Sequence, residues 1–280
     1  GEVADEYSVL YEVENSDRAF EEEVLFTGFG EAPVKGEGAA VQYDNAQESY
    51  TSRYTAETVA LAFSVTEEAM EDNLYDTFAK LRARGLARSM ASTKQTKAAQ
   101  TFNQGFAAAV TGGDGQPMFS ASHPTVGDGS QSNLIGTTGT VDLSEAALET
   151  ALVSIQTLKD DRGILIGAGA VSLHVAPSNQ FTADRVLNSP YQSNTADNNI
   201  NSINHQGMLP SGYMVNKRFS DPDAFFIKTD VPNGAKMFIR APLATKMEPD
   251  FDTGNLRFKA RERYSFGWSD WRGYFGSQGA

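Results

Sequence analysis

The sequence contains no cysteine and only three histidines, His123, His174 and His205. The absence of cysteine excludes disulfides, thiolate zinc sites and cysteine nucleophiles. So few histidines leave a thin supply of general bases and metal ligands. No stretch approaches the roughly 18 consecutive apolar residues of a membrane span, so we expect no membrane partner.

Positive charge is also scarce, with 23 Lys and Arg against 36 Asp and Glu and a net charge of −13. This balance argues against a protein that reads DNA sequence, because phosphate contacts dominate such binding. Residues 1–31 hold ten acids and one base, whereas Lys80 to Lys97 hold six bases and no acid. The two blocks are either solvated faces, or the acidic arm of one subunit lies on the basic helix of another.

The first 65 residues favour extended structure. Apolar residues are too scattered in residues 1–25 for a compact core, which indicates an arm held only by contact with another surface. Strand formers occupy 40–43 and 49–64, and the second run alternates with period 2 but has little to bury on either face. Such a hairpin either protrudes or is an ordinary polar edge hairpin.

A long helix is predicted next. Ser64 and Glu67 form a capping-box pattern, and apolar residues, among them Leu81, recur at helical spacing until Gly112. An unbroken helix of about 44 residues would be roughly 65 Å long. Gly85 is expected to weaken or kink its middle.

A glycine-rich loop from 112 to 140 precedes a second helix with a D-x-x-E cap at Asp142 and Glu145. Its predicted buried stripe is Ala147, Leu148, Ala151, Leu152, Ile155 and Leu158. A strand at 171–175, a third helix from Pro177 and an Asn-rich loop at 188–204 follow.

The C-terminal part consists of strands and turns. A hairpin turn is predicted at 252–255. In the strand after it, Arg257, Lys259, Arg261 and Arg263 fall on one face by period 2. Four cations in one row require carboxylates from elsewhere, solvent or a polyanion.

No catalytic, cofactor-binding or metal-binding constellation emerges. His123 lies in a turn before Pro124, without the G-x-S-x-G pattern of a nucleophile elbow. Gly167 and Gly169 lack the third glycine of a dinucleotide fingerprint. A hairpin turn explains Asp250, Asp252 and Asn255 better than a calcium loop does. We therefore predict a protein that is not an enzyme.

The order of these elements resembles the major capsid fold of tailed bacteriophages, of the HK-ninety-seven type. The run DGQPMFSASHP, from Asp114 to Pro124, is similar to the aspartate-glycine to histidine-proline stretch of Mu-like major head proteins. The resemblance covers nearly the whole chain.

The resemblance implies an α+β fold with an N-arm, an extended β-hairpin loop, a peripheral domain and an α/β axial domain. The arm would be 1–25 and the extended loop 26–63, reaching over a neighbouring subunit. The peripheral domain, with a spine helix and a long-stranded sheet, would take 64–140. The axial domain would be 141–220, and strands at 221–280 would return to the peripheral domain.

The implied function is that of a structural subunit of an icosahedral capsid, in hexamers and pentamers around double-stranded DNA. Its partners would be many copies of itself and non-specifically packaged DNA, with portal, scaffold, protease or decoration proteins as further expectations. The subunit would belong to the virion and assemble in the host bacterial cytoplasm. By family habit, the start at Gly1 would fit proteolytic removal of a scaffolding segment.

We expect inter-subunit contacts from cations of the extended loop, the spine helix and the last long strand. These residues are Lys35, Arg53, Arg82, Arg84, Arg88, Arg257, Lys259, Arg261 and Arg263. Some capsids of this type crosslink a loop lysine to an asparagine of a neighbour, and Lys35 is the loop lysine here, although an exposed lysine is usually just solvated.

Three other functions remain open at this stage. An encapsulin-like nanocompartment shares the fold but encloses protein cargo. A secreted β-rich hydrolase or adhesin would be a monomer, and the enzyme would have a pocket that joins at least two of the three histidines. A phage tail or decoration protein would lack the long spine helix.

Overall fold

The computed structural model describes residues 3–72, 75–127, 129–192 and 199–280 and has a mixed α+β fold. The helices are α1 (Tyr7–Leu10), α2 (Glu67–Glu71), α3 (Tyr75–Asn103), α4 (Glu145–Gln156), α5 (Gln180–Asn188) and α6 (Ser202–Gln206), with 3-10 turns at Pro177–Asn179 and Trp271–Gly273. The early strands are β1 (Glu12–Asn15), β2 (Phe20–Phe26), β3 (Glu48–Thr55), β4 (Glu57–Val65), β5 (His123–Pro124) and β6 (Ser130–Gln131). The later strands are β7 (Ala170–Val175), β8 (Tyr213–Val215), β9 (Phe225–Thr229), β10 (Ala235–Pro249), β11 (Leu256–Trp268) and β12 (Tyr274–Ser277).

The chain divides into two compact units. The first unit comprises the chain up to Glu21, Tyr54–Ala99 and Lys236–Gly267. The second comprises Glu22–Arg53, Gln100–Ala235 and Trp268–Ala280. These boundaries differ from the sequence-based domains, which kept 64–140 together and 221–280 together. The reason is that the loop after α3 pairs with the C-terminal strand, where the Ile135 amide donates to the Gly276 carbonyl over 2.9 Å.

The first unit is built on a four-stranded sheet in the order β1-β10-β11-β4. β1 lies parallel to β10, and β4 lies antiparallel to β11. One face of the sheet packs on α3, where Leu86 and Met90 meet Ala260. Phe63 and Phe258 stack on that face with 4.8 Å between ring centroids. The other face carries the cations that occupy every second position of β11 from Arg257 to Arg263.

The predicted long helix is only partly correct. α3 runs unbroken through Gly85 but ends at Asn103, before the expected Val110. The capping box at Ser64 is wrong, because pairing of β4 with β11 keeps Ser64 within a strand. Leu81 is exposed, not buried. The side chains of Leu74 and Phe78, which completed the predicted stripe, lie outside the described residues.

The N-terminal segment is held by its own chain. Leu10 and Tyr11 are buried in the first unit, and the Tyr11 hydroxyl donates to the Ala98 carbonyl over 2.7 Å. For residues 7–15 the contact that holds the arm comes from the same chain, because α1 and β1 dock on the first unit. The strand expected at 40–43 is absent, since the described chain has no helix or strand between 27 and 47.

The second unit contains a four-stranded sheet in the order β12-β9-β7-β8. Its core confirms the predicted stripe of α4, with Ile155 packed in one cluster with Leu173, Phe225 and Trp271. The N-cap of α4 is Ser144, whose hydroxyl accepts from the Ala147 amide over 3.2 Å, rather than the predicted Asp142.

The remaining predictions for this unit concern the strand at 171–175, the helix from Pro177 and the Asn-rich loop. The strand predicted at 171–175 is β7, and Pro177 begins a 3-10 turn that leads into α5. In the Asn-rich segment at 188–204, residues 193–198 lie outside the described residues, and α6 begins at Ser202, within its last part. Across the described segments, no helix combines the length and apolar character needed to cross a bilayer.

Candidate assembly surfaces

The cation row of β11 lies where the period-2 pattern places it. Arg257, Lys259 and Arg261 are exposed and Arg263 is half-buried, while Ala260 and Glu262 between them are buried. Residues paired directly opposite in an antiparallel sheet share a face. The β4 partners of the four cations are Ser64, Ala62, Ala60 and Thr58. Small neighbours therefore leave the row open to solvent.

Only one member of the row has a carboxylate partner among the residues that the structure describes. Arg257 Nη2 lies 2.5 Å from Asp250 Oδ2, in the hairpin turn that joins β10 to β11. Lys259 and Arg261 form no ion pair with any described residue of their own chain. Exposed ion pairs stabilise a fold little, so the row is better explained as a surface than as a source of stability.

The basic block of α3 divides into two parts. Lys94 and Lys97 are paired within the first unit, with Glu262 and Glu57 respectively. Arg82, Arg84 and Arg88 are exposed, and Arg82 Nη1 donates to the Ser64 carbonyl over 3.1 Å. The end of the block that precedes Ser89 is thus the part that faces solvent.

The segment between β2 and β3 is anchored at its base and open beyond it. The Gly30 amide donates to Asp44 Oδ2 over 2.8 Å, and Arg162 binds the same carboxylate over 2.9 Å. Hydrogen bonds from the amides of Gly30 and Asn45, with Arg162 adding to them, lower the pKa of Asp44. These contacts fix the base of the segment in the second unit.

Every residue from 31 to 48 is nevertheless exposed. Val34 is fully exposed and Tyr43 is 93% exposed, and Lys35 lies beside Val34. Arg53 on β3 lies at a longer distance from a carboxylate, with its Nε 3.8 Å from Glu22 Oε1. Exposed apolar side chains that cluster on one segment indicate a surface that another chain covers.

The three histidines do not form an active site. His123 is fully buried against Asp114, His174 is buried against the Ser172 hydroxyl, and His205 is exposed on α6. Burial, with Lys228 adding to it, lowers the pKa of His174 to about 3. A neutral, enclosed imidazole of this kind is a structural group rather than a general base.

The cleft at the start of α4 does not have the lining of the expected hydrolase pocket either. A cleft of about 640 Å³ at the start of α4 is lined by Ser144, Glu145, Thr182 and Arg185, and no histidine lines it. Within the described part of the chain, no group of three or more carboxylates or histidines is arranged to hold a metal ion. The arrangement expected of a hydrolase, a pocket joining two histidines, is not seen there.

One polar cluster escaped the sequence-based prediction. Arg272 is buried in the second unit, with its Nη2 2.5 Å from Asp161 Oδ1 and its Nη1 3.3 Å from Asp270 Oδ1. Burial raises the pKa of Asp270, while Arg272 opposes that rise. Asp161 and Arg272 are far apart in sequence, so no local spacing signals their contact.

Several solved structures share this fold. The chain matches a structure from Microbacterium phage Oxtober96 at 12% identity with a TM-score of 0.58, covering 100% of this chain and 92% of that one. The capsid of a native GTA particle matches at 16% identity and a TM-score of 0.60, over 98% and 90% of the two chains. A virus-like particle from Pyrococcus furiosus matches at 10% identity and 0.51, over 95% and 89%.

The chain thus has the fold of these structures. The model of the family described as phage capsid protein matches residues 48–275. The chain therefore belongs to the phage capsid protein family, and it is a structural component of the virion shell. No protein of curated function matches it by sequence.

Proposed function

We propose that this protein is the major capsid subunit of a tailed bacteriophage and that it closes, as hexamers and pentamers, into an icosahedral shell around double-stranded DNA. The observation that carries the proposal is the segment from 31 to 48, in which every residue is exposed in a single chain. Segments of this length without regular structure are uncommon in compact domains and usually serve binding. Contacts with neighbours would cover this one and couple subunit stability to assembly.

The division into two compact units supports the two domains that the capsid fold implies, although the boundaries differ from those expected from the sequence. We assign the first unit, with α3 and the long strands β10 and β11, to the peripheral domain. We assign the second unit, with α4 and the β7–β9 sheet, to the axial domain. The extended loop is then β2, β3 and the exposed segment between them, and the residues before α1 are the free end of the arm.

Inter-subunit contacts would fall on the exposed cations. Lys259 and Arg261 in the β11 row, with Arg84 and Arg88 on α3, lack the neutralising partners that Lys94 and Lys97 have within the described chain. Acidic segments of neighbouring copies supply the complementary charge, since residues 1–31 carry a net charge of −9. Complementary patches of this kind set register and orientation more than affinity. Lys35 and Arg53 would make the same kind of contact from the extended loop.

The charge of the whole subunit suits a container for DNA. A net charge of −13 gives a lining that does not bind the packaged genome tightly. The subunit needs no catalytic activity or cofactor for this role. Portal, scaffold, protease and decoration proteins are the further partners of such a shell, and assembly takes place in the host bacterial cytoplasm.

A nanocompartment that encloses protein cargo is the second candidate, since the fold is also similar to that of the virus-like particle. Negative-stain electron microscopy and light-scattering mass on the purified full chain test both functions. Closed shells in the megadalton range that contain nucleic acid support the phage capsid. Shells that contain only protein support the nanocompartment. A folded monomer that never assembles, even with the proteins encoded beside it, contradicts both.

The cation row has its own test. The double variant Lys259→Glu, Arg261→Glu reverses two exposed charges and should reduce the yield of closed shells at least tenfold while leaving the unfolding midpoint of the subunit unchanged. The matched control is Lys259→Arg, Arg261→Lys, which keeps both charges and should assemble like the wild type. Normal assembly of the charge-reversed variant would show that the row makes no inter-subunit contact needed for assembly.

A further inference from the structure

The extended loop is closed at its base by two separate sets of contacts. The first set lies where β2 ends and β3 begins. There the Thr27 amide donates to the Gln47 carbonyl over 2.8 Å, and the Gln47 amide donates to the Thr27 hydroxyl over 3.0 Å. In the second set, the Asp44 carboxylate accepts from the amides of Gly30 and Asn45 over 2.8 and 2.9 Å. The two sets close the loop at two successive points.

An ion pair attaches the second set to another part of the second unit. Arg162 Nη2 lies 2.9 Å from each of the two carboxylate oxygens of Asp44. The side chains of Arg162 and Asp44 are 21% and 39% exposed, so water weakens their attraction without removing it. Within the described chain, the other hydrogen-bond donors to Asp44 are the two amides of its own loop. Arg162 is therefore the contact that holds this point of the loop in place.

The backbone that carries Arg162 is itself fixed. Asp160 Oδ1 accepts from the amides of Arg162 and Ile164 over 2.8 and 2.9 Å, which closes a tight turn. The next side chain along, that of Asp161, forms a buried ion pair with Arg272. The turn thus connects the interior of the second unit, through Asp161, to the loop, through Arg162.

Beyond the second set of contacts, the loop has no further attachment. Within the described chain, residues 31–43 form no hydrogen bond or ion pair with a residue outside that range, and their internal hydrogen bond runs from the Ala39 amide to the Gly36 carbonyl over 3.1 Å. A loop that starts from Gly30 and Asp44 has fewer accessible orientations than a longer one that starts from Thr27 and Gln47. Restricting these orientations in advance lowers the entropy that is lost when a partner binds.

We propose that Arg162 is a positioning residue for assembly. By holding Asp44, it fixes the point from which residues 31–43 leave the subunit and so presents their exposed side chains to a second copy of this chain. We call the group of Asp44, Arg162 and the amides of Gly30 and Asn45 the clasp. The assembly role rests on the proposed function, whereas the clasp is a property of the single chain.

Hydrogen exchange on the unassembled full chain tests the clasp. The variant Arg162→Gln removes the charge but keeps the backbone amide that the turn uses. The amides of Gly30 and Asn45 should exchange about fivefold faster than in the wild type, as expected for the loss of one well-formed ion pair. The amides of Thr27 and Gln47, in the first set of contacts, should keep their wild-type rates. Unchanged exchange of Gly30 and Asn45 would overturn the proposal.

The matched control is Arg185→Gln, which makes the same substitution at an exposed arginine of α5 in the same unit and should leave these rates unchanged. A second variant, Asp44→Asn, removes the charge from the loop side. If Arg162 acts through Asp44, adding Arg162→Gln to Asp44→Asn should change the exchange rates little further. Equal increments with and without Asp44→Asn would contradict the clasp. Should Arg162→Gln fail to fold, wild-type exchange of Gly30 and Asn45 in Asp44→Asn alone would do so.

The time course of light scattering tests the assembly role. Arg162→Gln should form shells about threefold more slowly than the wild type at equal concentration, because its loop must be ordered during assembly, while its unfolding midpoint stays the same. Wild-type assembly by a variant whose exchange shows an open clasp would overturn the positioning role. A wild type that never assembles would contradict the proposed function and the assembly role with it, and the exchange rates would still decide whether the clasp exists.

Discussion

The ammonium of Lys94 lies 2.6 Å from Glu262 Oε2, on the face of β11 opposite the cation row. The Glu262 side chain is 2% exposed and that of Lys94 is 21% exposed. Within the described chain, Glu262 Oε1 has no hydrogen-bond partner, so Lys94 provides the charge compensation for this carboxylate. The pair joins α3 to the sheet of the first unit.

Removal of the lysine should therefore be costly. Lys94→Met leaves a buried carboxylate without its cation and should destabilise the subunit by about 3 kcal/mol, measured from the denaturant midpoint of unassembled protein. The control is Lys97→Met, whose partner Glu57 is largely exposed and which should cost about 0.5 kcal/mol. Equal losses in the two variants would contradict a special role for the buried pair.

Gly85 occupies an exposed position in the middle of α3, and nothing lies within 4 Å of a Cβ added there. Gly85→Ala should stabilise the subunit by about 0.5–1 kcal/mol, because alanine loses less backbone entropy in a helix. The measurement is again the unfolding midpoint. A destabilised variant would indicate that α3 bends at this residue in solution.

Gly273 gives the opposite expectation. A Cβ at this position would lie 2.5 Å from the Gly234 Cα, so the backbone itself would have to move. Gly273→Ala should destabilise the subunit by about 1–3 kcal/mol. An unchanged midpoint would show that the two segments are not held this closely together.

Local periodicity predicted the elements whose partners lie on one consistent face. The alternation along β11 and the apolar stripe of α4 both appear as predicted, because each depends only on which side of the element is covered. The start of the long helix could not be predicted in this way. Pairing of Leu256 with Val65 keeps β4 extended past Ser64, and this tertiary contact overrides the local capping pattern.

The buried polar cluster shows a different limit. The Asp114 to His123 run was recognised as a motif, but its partner Asn133 and the stacked Trp271 come from other parts of the chain. The pairing of Arg272 with Asp161 spans a separation of 111 residues. No spacing in the sequence predicts contacts that depend on how the loop after α3 meets the C-terminal strand.

His174 should make the stability of the subunit dependent on acid pH. Its pKa falls from an ordinary value of about 6.5 to about 3 on folding, so the unfolded chain binds one more proton between these values. The stabilisation is complete above pH 6.5 and is lost as the pH falls toward 3, at up to about 1.4 kcal/mol per pH unit.

The variant His174→Gln tests this dependence, with the unfolding midpoint measured from pH 7.5 to pH 4. Its plot of unfolding free energy against pH should be less steep than that of the wild type, by an amount that corresponds to up to one bound proton. His205→Gln, which changes an exposed histidine on α6, should keep the wild-type slope. Parallel slopes for the wild type and His174→Gln would show that the buried imidazole is not linked to folding.

The exposed loop segment should matter for assembly and not for folding. Val34 and Tyr43 bury almost nothing in a single chain, so Val34→Ser with Tyr43→Ser should change the free energy of unfolding by less than about 0.5 kcal/mol. If neighbours cover these side chains, the same double variant should lower the yield of closed shells at least tenfold, as measured by electron microscopy and light scattering. Tyr43→Phe keeps the apolar ring and should assemble normally. Full assembly of the double serine variant would mean that the segment stays exposed in the shell. The contacts that close the shell would then lie elsewhere, with the cation row and α3 as the next surfaces to test.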